Sequence, residues 1–496
     1  MHPFAQRLSG RADTIESLWK IRNWVISSFG GPRSWEIALS YLPKRVLDIG
    51  TPLDPRVPCL KEFPNPTQGR YACLSHCWSE SEPLATTLIT MQYMKDGIPT
   101  RDLSSTFQDA IKLTRYMGVQ YLWIDSICII QDSKADWEEE SAKMASYYGD
   151  ALFTITGARE KSKGLFGERK FYGPYCKLDI MSEEYRPQSL YFLPHPHAPV
   201  RAQGNGFLPP AKIYSRGWTL QEDLLSPRVI SFEETQTYFR TPLGEWYECG
   251  TVKPPCKMHD QSLDRWLSIV EDYSRRYLTD EDDKLPALSG LAADYQRKWN
   301  DRYLAGVWQR QLWKQLQWYA VPSNYRIPYR PSKYRAPSWS WASIDGHVNF
   351  EPIGNPSESL FDVSWAEVIA EGIDLRGRVS DGALQVTGYL VECFHGTFDM
   401  ENDIDFRTNS DPEIGGIVSP DALLPKIIGR GRAHLFILSK SFGIILQEFR
   451  HGEWQARRGR PLISEICTVY KRIAGVHLQN WSLRDISWPK STLYIL

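Results

Sequence analysis

At 496 residues, with 42% apolar and 24% charged side chains, the chain is long enough for two to four domains and too apolar for wholesale disorder. A formal net charge of −1 excludes a global attraction to nucleic acid, and no nucleic-acid partner is expected. No run approaches the ~20 apolar residues of a membrane span, and Met1–Trp19 lacks the apolar core of a secretory signal. Nine cysteines without paired spacing read as reduced, buried thiols, so a cytoplasmic protein is expected.

Ile15, Leu18, Trp19, Ile21, Val25 and Ile26 recur near helical spacing, and Gly30-Gly31-Pro32 ends that helix. The proline-rich stretch from Pro43 to Pro66 reads as an extended lead-in without a core of its own. Tyr71–Trp78 (YACLSHCW) reads as a strand ending in a polar cluster, Ser75-His76-Cys77. Phe107–Met117 follows as an amphipathic helix, with Ser104 or Ser105 as N-cap and Gly118 beyond its end. Tyr121–Ile130 is an apolar run that reads as one buried strand containing a single acid, Asp125. A helix over about Asp136–Tyr148 and a strand at 151–156 complete a strand–helix–strand unit with parallel strands.

Residues 159–213 read as an irregular excursion. In Tyr214–Phe232, Thr219 and Glu222 have capping-box spacing at the start of a short helix, and a strand follows at 228–232. Helical periodicity marks 260–320, and Ala336–Ser343 (APSWSWAS) reads as an alternating aromatic strand. From about residue 380 the pattern is β-rich, with runs at 383–394, 434–438 and 443–449. The expected organisation is a lead-in at 1–66, an α/β domain at 67–240, a helical region at 241–335 and a β-rich region at 336–496. The expected core includes Trp123, Ile124, Ile127, Ile129, Trp218, Trp339 and Trp341.

Three blocks together, Tyr71–Trp78, Leu122–Met144 with Tyr148, and Arg216–Ser226 (RGWTLQEDLLS), resemble the fungal heterokaryon-incompatibility (HET) domain. Leu285–Leu291 and Ala336–Ser343 look like the usual continuation of such proteins. The resemblance implies non-self recognition with cell death as output, protein partners in that signalling, and self-association. It also implies distant similarity to TIR domains, hence a parallel, flavodoxin-like sheet and a nucleotide such as NAD as an alternative ligand, cleaved through a glutamate. The sequence does not specify a cofactor. The chain departs from the family pattern at His76, where Tyr is common, and at Ser79-Glu80, where Trp-Gly is typical.

In an open parallel sheet, ligands bind outside the carboxyl ends of the strands. Ser75, His76 and Trp78 would line one such rim, with Asp132 near it and Asp125 a step deeper in its strand. A buried Asp125 needs a partner, either backbone donors or a cation such as Arg216. On the helix, Trp137, Ser141, Met144 and Tyr148 share one stripe, with Glu140 at its boundary, where a carboxyl is partly desolvated yet reachable. Glu140 and Asp125 are the candidate catalytic acids; a rim salt bridge is the plainer role for Glu140. Glu222 is set aside as the partner of Thr219. Cys73, Cys77, Cys128 and His76 lack metal-ligand spacing, so no metal is expected.

Overall fold

A computed structural model of the chain describes residues 8–77, 84–158, 164–169, 176–181, 187–192, 211–254, 262–322, 327–352, 358–393, 404–407, 415–420, 433–439, 441–449, 469–479 and 490–496. The chain divides into two compact units, residues 1–260 and 261–496.

The first unit is built on a nine-stranded sheet. Its strands are β1 (Arg45–Gly50), β2 (Pro55–Glu62), β3 (Tyr71–Ser75), β4 (Tyr121–Ile124), β5 (Thr154–Gly157), β6 (Val229–Phe232), β7 (Thr237–Thr241), β8 (Gly244–Tyr247) and β9 (Val252–Lys253). They lie in the order β9-β8-β7-β6-β5-β3-β4-β1-β2. At the centre β4, β3, β5 and β6 are mutually parallel, with Cys73 opposite Trp123 on one side and Thr154 on the other. Taken in chain order, these four strands lie 2-1-3-4, so the direction of winding reverses between β3 and β5. The residues of β3 and β6 are buried on both faces, which is why their sequences run apolar instead of alternating.

The sheet is mixed, not the all-parallel sheet expected. Residues 45–62, read as a lead-in, supply β1 and β2, and β7–β9 extend the other edge antiparallel. The reason is the length of the links: a few residues between strands can only make a hairpin, whereas a parallel return needs a dozen or more. At the β1–β2 turn, Gly50 has φ +71°, and a Cβ there would come within 2.2 Å of the Asp54 carbonyl oxygen. Glycine is required at that position.

Helix α1 (Ile15–Ser28), capped by Thr14, buries Leu18, Ile21 and Val25. Helix α2 (Ser105–Tyr116) starts at Ser104, whose hydroxyl accepts from Phe107 N at 3.2 Å. The expected strand 121–130 stops at Ile124, and a short helix, α3 (Asp125–Cys128), begins where the acid stands. There the Asp125 carboxylate accepts from Ser126 N at 2.8 Å, and Ile129 N donates to the Asp125 carbonyl at 3.1 Å. A side chain that satisfies its neighbour's N–H competes with the ladder and turns the chain. Helix α4 (Lys134–Asp150) is capped by Ser133. Helix α5 (Trp218–Leu225) precedes β6. Trp123, Ile124 and Ile127 are fully buried and Ile129 nearly so, whereas Trp218 is only half-buried.

The second unit contains helices α6 (Leu263–Ser274) and α7 (Pro286–Trp299) and a β-rich part. Its larger sheet comprises β10 (Asp362–Ala370), β11 (Val379–Cys393), β12 (Ile404–Arg407), β13 (Gly415–Pro420), β14 (Ala433–Ile437), β15 (Phe442–Phe449), β16 (Val469–Gln479) and β17 (Lys490–Ile495). Strands β11, β14, β15, β16 and β17 pair in a ring, because β17 joins both β16 and β11; the result is a closed barrel. Trp339 and Trp341 are fully buried, yet 336–343 is a turn and a short 3-10 helix, not a strand. Ser340 accounts for this, since its hydroxyl accepts from Ala342 N at 3.0 Å and draws the backbone out of extension. Among the described residues, no helix is long and apolar enough to cross a membrane.

Candidate functional site

Strands β3 and β4 end side by side at the carboxyl edge of the parallel centre, and their last residues carry polar groups into a buried setting. Ser75 closes β3 and His76 follows it; both are buried. Asp125 stands immediately after β4, at the rim itself and not a step below it, because the strand ends at Ile124 instead of running on to Ile130. The His76 Nδ1 lies 3.7 Å from an Asp125 carboxylate oxygen, and the imidazole packs edge-on to Phe107 with centroids 5.0 Å apart. Arg216 arrives from the segment before α5, and its guanidinium donates to the His76 carbonyl oxygen at 2.7 Å. Ser75, His76, Asp125 and Arg216 are thus brought together.

The carboxyl that meets them is Glu222, which sequence reasoning had set aside. Glu222 is 4% exposed and hydrogen-bonded to the hydroxyls of Ser75 and Tyr148. Burial, and then the negative charge of Asp125, push its pKa up to about 7; the Ser75 and Tyr148 hydroxyls and the Arg216 charge act in the opposite direction. Tyr148 is itself buried, and burial next to Glu222 and Asp125 keeps its phenol protonated. The supposed capping box is out of register. Helix α5 starts at Trp218, so Thr219 is its second residue and donates to the carbonyls of Ile213 (2.6 Å) and Arg216 (2.9 Å). Glu222 therefore has no cap to serve and turns inward with Leu220 and Gln221. The spacing Thr219-x-x-Glu222 carries no mark that sets it apart from a working cap; the start of the helix at Trp218 does.

Glu140 belongs to a different set of contacts. The inward face of α4 carries Asp136, Glu140, Met144, Tyr147 and Tyr148, rotated from the expected stripe, so Trp137 is half-buried and Glu140 is fully buried instead of lying at a boundary. The Tyr147 hydroxyl donates to one Glu140 oxygen at 3.0 Å, and Lys143 Nζ lies 3.6 Å from the other. Burial raises the Glu140 pKa, opposed by the Tyr147 hydrogen bond and the charges of Arg45 and Lys143. Arg45, almost wholly buried on β1, pairs with Asp136 and donates to the Cys128 carbonyl at 2.7 Å. This cluster ties α4 and α3 to β1.

Asp132 is exposed, and its carboxylate accepts from Leu88 N at 2.8 Å, pinning the loop that precedes residue 90. That loop is also strapped to the rim by Thr86: its N–H donates to the Ser126 carbonyl (2.9 Å) and its hydroxyl to the Ile127 carbonyl (2.6 Å). Trp78 lies outside the described residues. Cys73 and Cys128 are fully buried thiols, and burial pushes Cys128 up to about 12. Among the described residues, no three His, Cys, Asp or Glu side chains are grouped to hold a metal ion.

Chemically, the rim places a carboxyl that exchanges its proton near neutrality beside a carboxylate, an imidazole, two hydroxyls and a guanidinium. Such a set can take up and release a proton at pH 7. Residues 71–222 match the family model described as heterokaryon incompatibility protein (HET). No curated protein and no solved structure gives a match.

Proposed function

We propose, from the premise that residues 71–222 form a HET domain, that this protein acts in fungal non-self recognition, with growth arrest or cell death as its output. The observation that supports this reading is one of coincidence. The matched segment opens at Tyr71, the first residue of β3, and closes at Glu222, so it holds Ser75, His76, Asp125, Tyr148, Arg216 and Glu222. On this reading the α/β unit signals by association with protein partners or with itself. Induced expression in a filamentous-fungal host, scored by growth and vital-dye uptake, tests it. Arrest is expected, and unimpaired growth at full expression would overturn it.

A second reading is favoured by the Glu222 carboxyl with its pKa near 7, beside the point where the strand order reverses. Open α/β sheets bind ligands outside the carboxyl ends of the strands at such a reversal, in TIR-like and flavodoxin-like folds among others. On this reading the unit hydrolyses a nucleotide such as NAD: water replaces nicotinamide at the ribose anomeric carbon, and nicotinamide, ADP-ribose and a proton are released. Glu222, not Glu140, would take the proton from water. Incubation with NAD, followed by assay for nicotinamide, separates the two readings. Under hydrolysis, Glu222→Gln abolishes both nicotinamide release and growth arrest while Glu140→Gln retains both. Under association, Glu222→Gln leaves arrest intact and no nicotinamide appears with any variant.

A further inference from the structure

We infer that the rim binds a small planar aromatic ligand carrying an anionic group, with Trp218 and Trp137 as the aromatic wall and Arg216 as the group that meets the anion. This deepens the hydrolase reading and rests on it for the placement of the ligand.

The two indoles reach the rim from separate elements. Trp137 stands in the first turn of α4, which follows the carboxyl end of β4 through α3 and a short turn. That turn is fastened to the rim, since the Gln131 side-chain amide donates to the carbonyls of Asp125 (3.1 Å) and Ile129 (3.0 Å). Trp218 is the first residue of α5 and lies two positions after Arg216, whose guanidinium is anchored on the His76 carbonyl at 2.7 Å. The rings meet edge to face, with centroids 6.2 Å apart and planes at 88°. Both pack against the core of the unit yet remain half-buried, whereas Trp123 on β4 is fully buried. An indole held rigidly with part of its surface left to solvent, two positions along the chain from an anchored guanidinium, suits a ligand that is flat at one end and anionic at the other. A nucleoside monophosphate has that form, the base against the indoles and the phosphate on Arg216. The same two rings also join α4 to α5, so the test must separate binding from packing.

Calorimetric titration of the full chain with AMP provides it, with adenosine and ribose 5-phosphate as partial ligands. AMP is expected to bind more tightly than either partial ligand. Trp218→Ala should weaken AMP binding about tenfold, the scale of one base–aromatic stack, while Trp218→Phe stays within about threefold. Arg216→Lys should weaken AMP and leave adenosine unchanged. Failure of AMP to bind at millimolar concentration, or binding by folded Trp218→Ala equal to wild type, overturns the inference. If Trp218→Ala does not fold, Arg216→Lys decides, and equal AMP affinity in that variant is equally fatal. AMP contains no nicotinamide bond, so AMP binding without NAD cleavage defeats only the hydrolase reading. NAD cleavage with a KM indifferent to Trp218→Ala defeats only this one.

Discussion

Glu222 shows how one buried carboxyl imprints itself on the pH dependence of the whole fold. Its pKa rises from an ordinary value of 4.5 to about 7 because burial and Asp125 disfavour the charged form. A group that holds its proton more tightly when folded stabilises the fold while it keeps that proton. The contribution is fully present below pH 4.5, declines as the pH climbs through the window to about 7, and is absent above it. Across that window the shift corresponds to an order-of-magnitude cost of about 3 kcal/mol. Glu222→Gln removes the titration while keeping the shape. The variant should therefore melt at a higher temperature than wild type at pH 8, with the gap narrowing toward pH 5. Parallel melting curves across that range would show that Glu222 is not the group being desolvated. Reading this residue from sequence failed for a definite reason. The spacing Thr219-x-x-Glu222 satisfies a local capping rule, and only the true start of the helix, one residue before Thr219, disqualifies it.

At the scale of elements, the parallel strands were legible because burial leaves predominantly apolar, non-alternating runs at 71–75, 121–124 and 229–232. Their ends were less so. The run Tyr121–Ile130 is apolar on both sides of Asp125, and apolar content does not distinguish a strand from the buried helical turn that follows it. The strands β1 and β2 were missed because the proline-rich composition of 43–66 reads as punctuation, although Pro55 and Pro58 sit on an edge strand where a missing N–H is tolerated. The strap at Thr86 was invisible, since it depends on backbone carbonyls some forty positions away. Thr86→Val preserves its volume and removes the donor to the Ile127 carbonyl, leaving a buried acceptor short of a partner. A loss of about 1–3 kcal/mol is expected, together with faster hydrogen exchange at the Gln131 amide, which donates to the Thr86 carbonyl at 2.8 Å. Unchanged exchange there would mean that the hydroxyl does not hold the rim in place.

For the molecule as a whole, the segment that carries the family match is not a self-sufficient fold. It ends inside α5, before β6, the fourth of the parallel strands, and it excludes β1, whose Arg45 holds α4 through Asp136. It also excludes α1, whose Leu18, Ile21 and Val25 lie in the same core as β3 and β4. A chain cut to 71–222 should consequently be insoluble or molten, whereas residues 1–260 should give a cooperative melting transition. Cooperative unfolding of the shorter piece, seen by near-ultraviolet circular dichroism, would show that the flanking strands are dispensable.

The barrel of the second unit sets a timetable for its own completion. Its ring is closed by β17 lying against β11, where Thr387 and Thr492 are 105 positions apart. Contacts so distant along the chain are slow to form, because the entropy of the intervening loop is lost before the pairing gains anything. While the protein is being synthesised, β11 and β16 must wait with open edges until β17 has left the ribosome. During that interval the second unit offers unpaired strand edges to its neighbours, and chaperones have their clearest reason to attend to it.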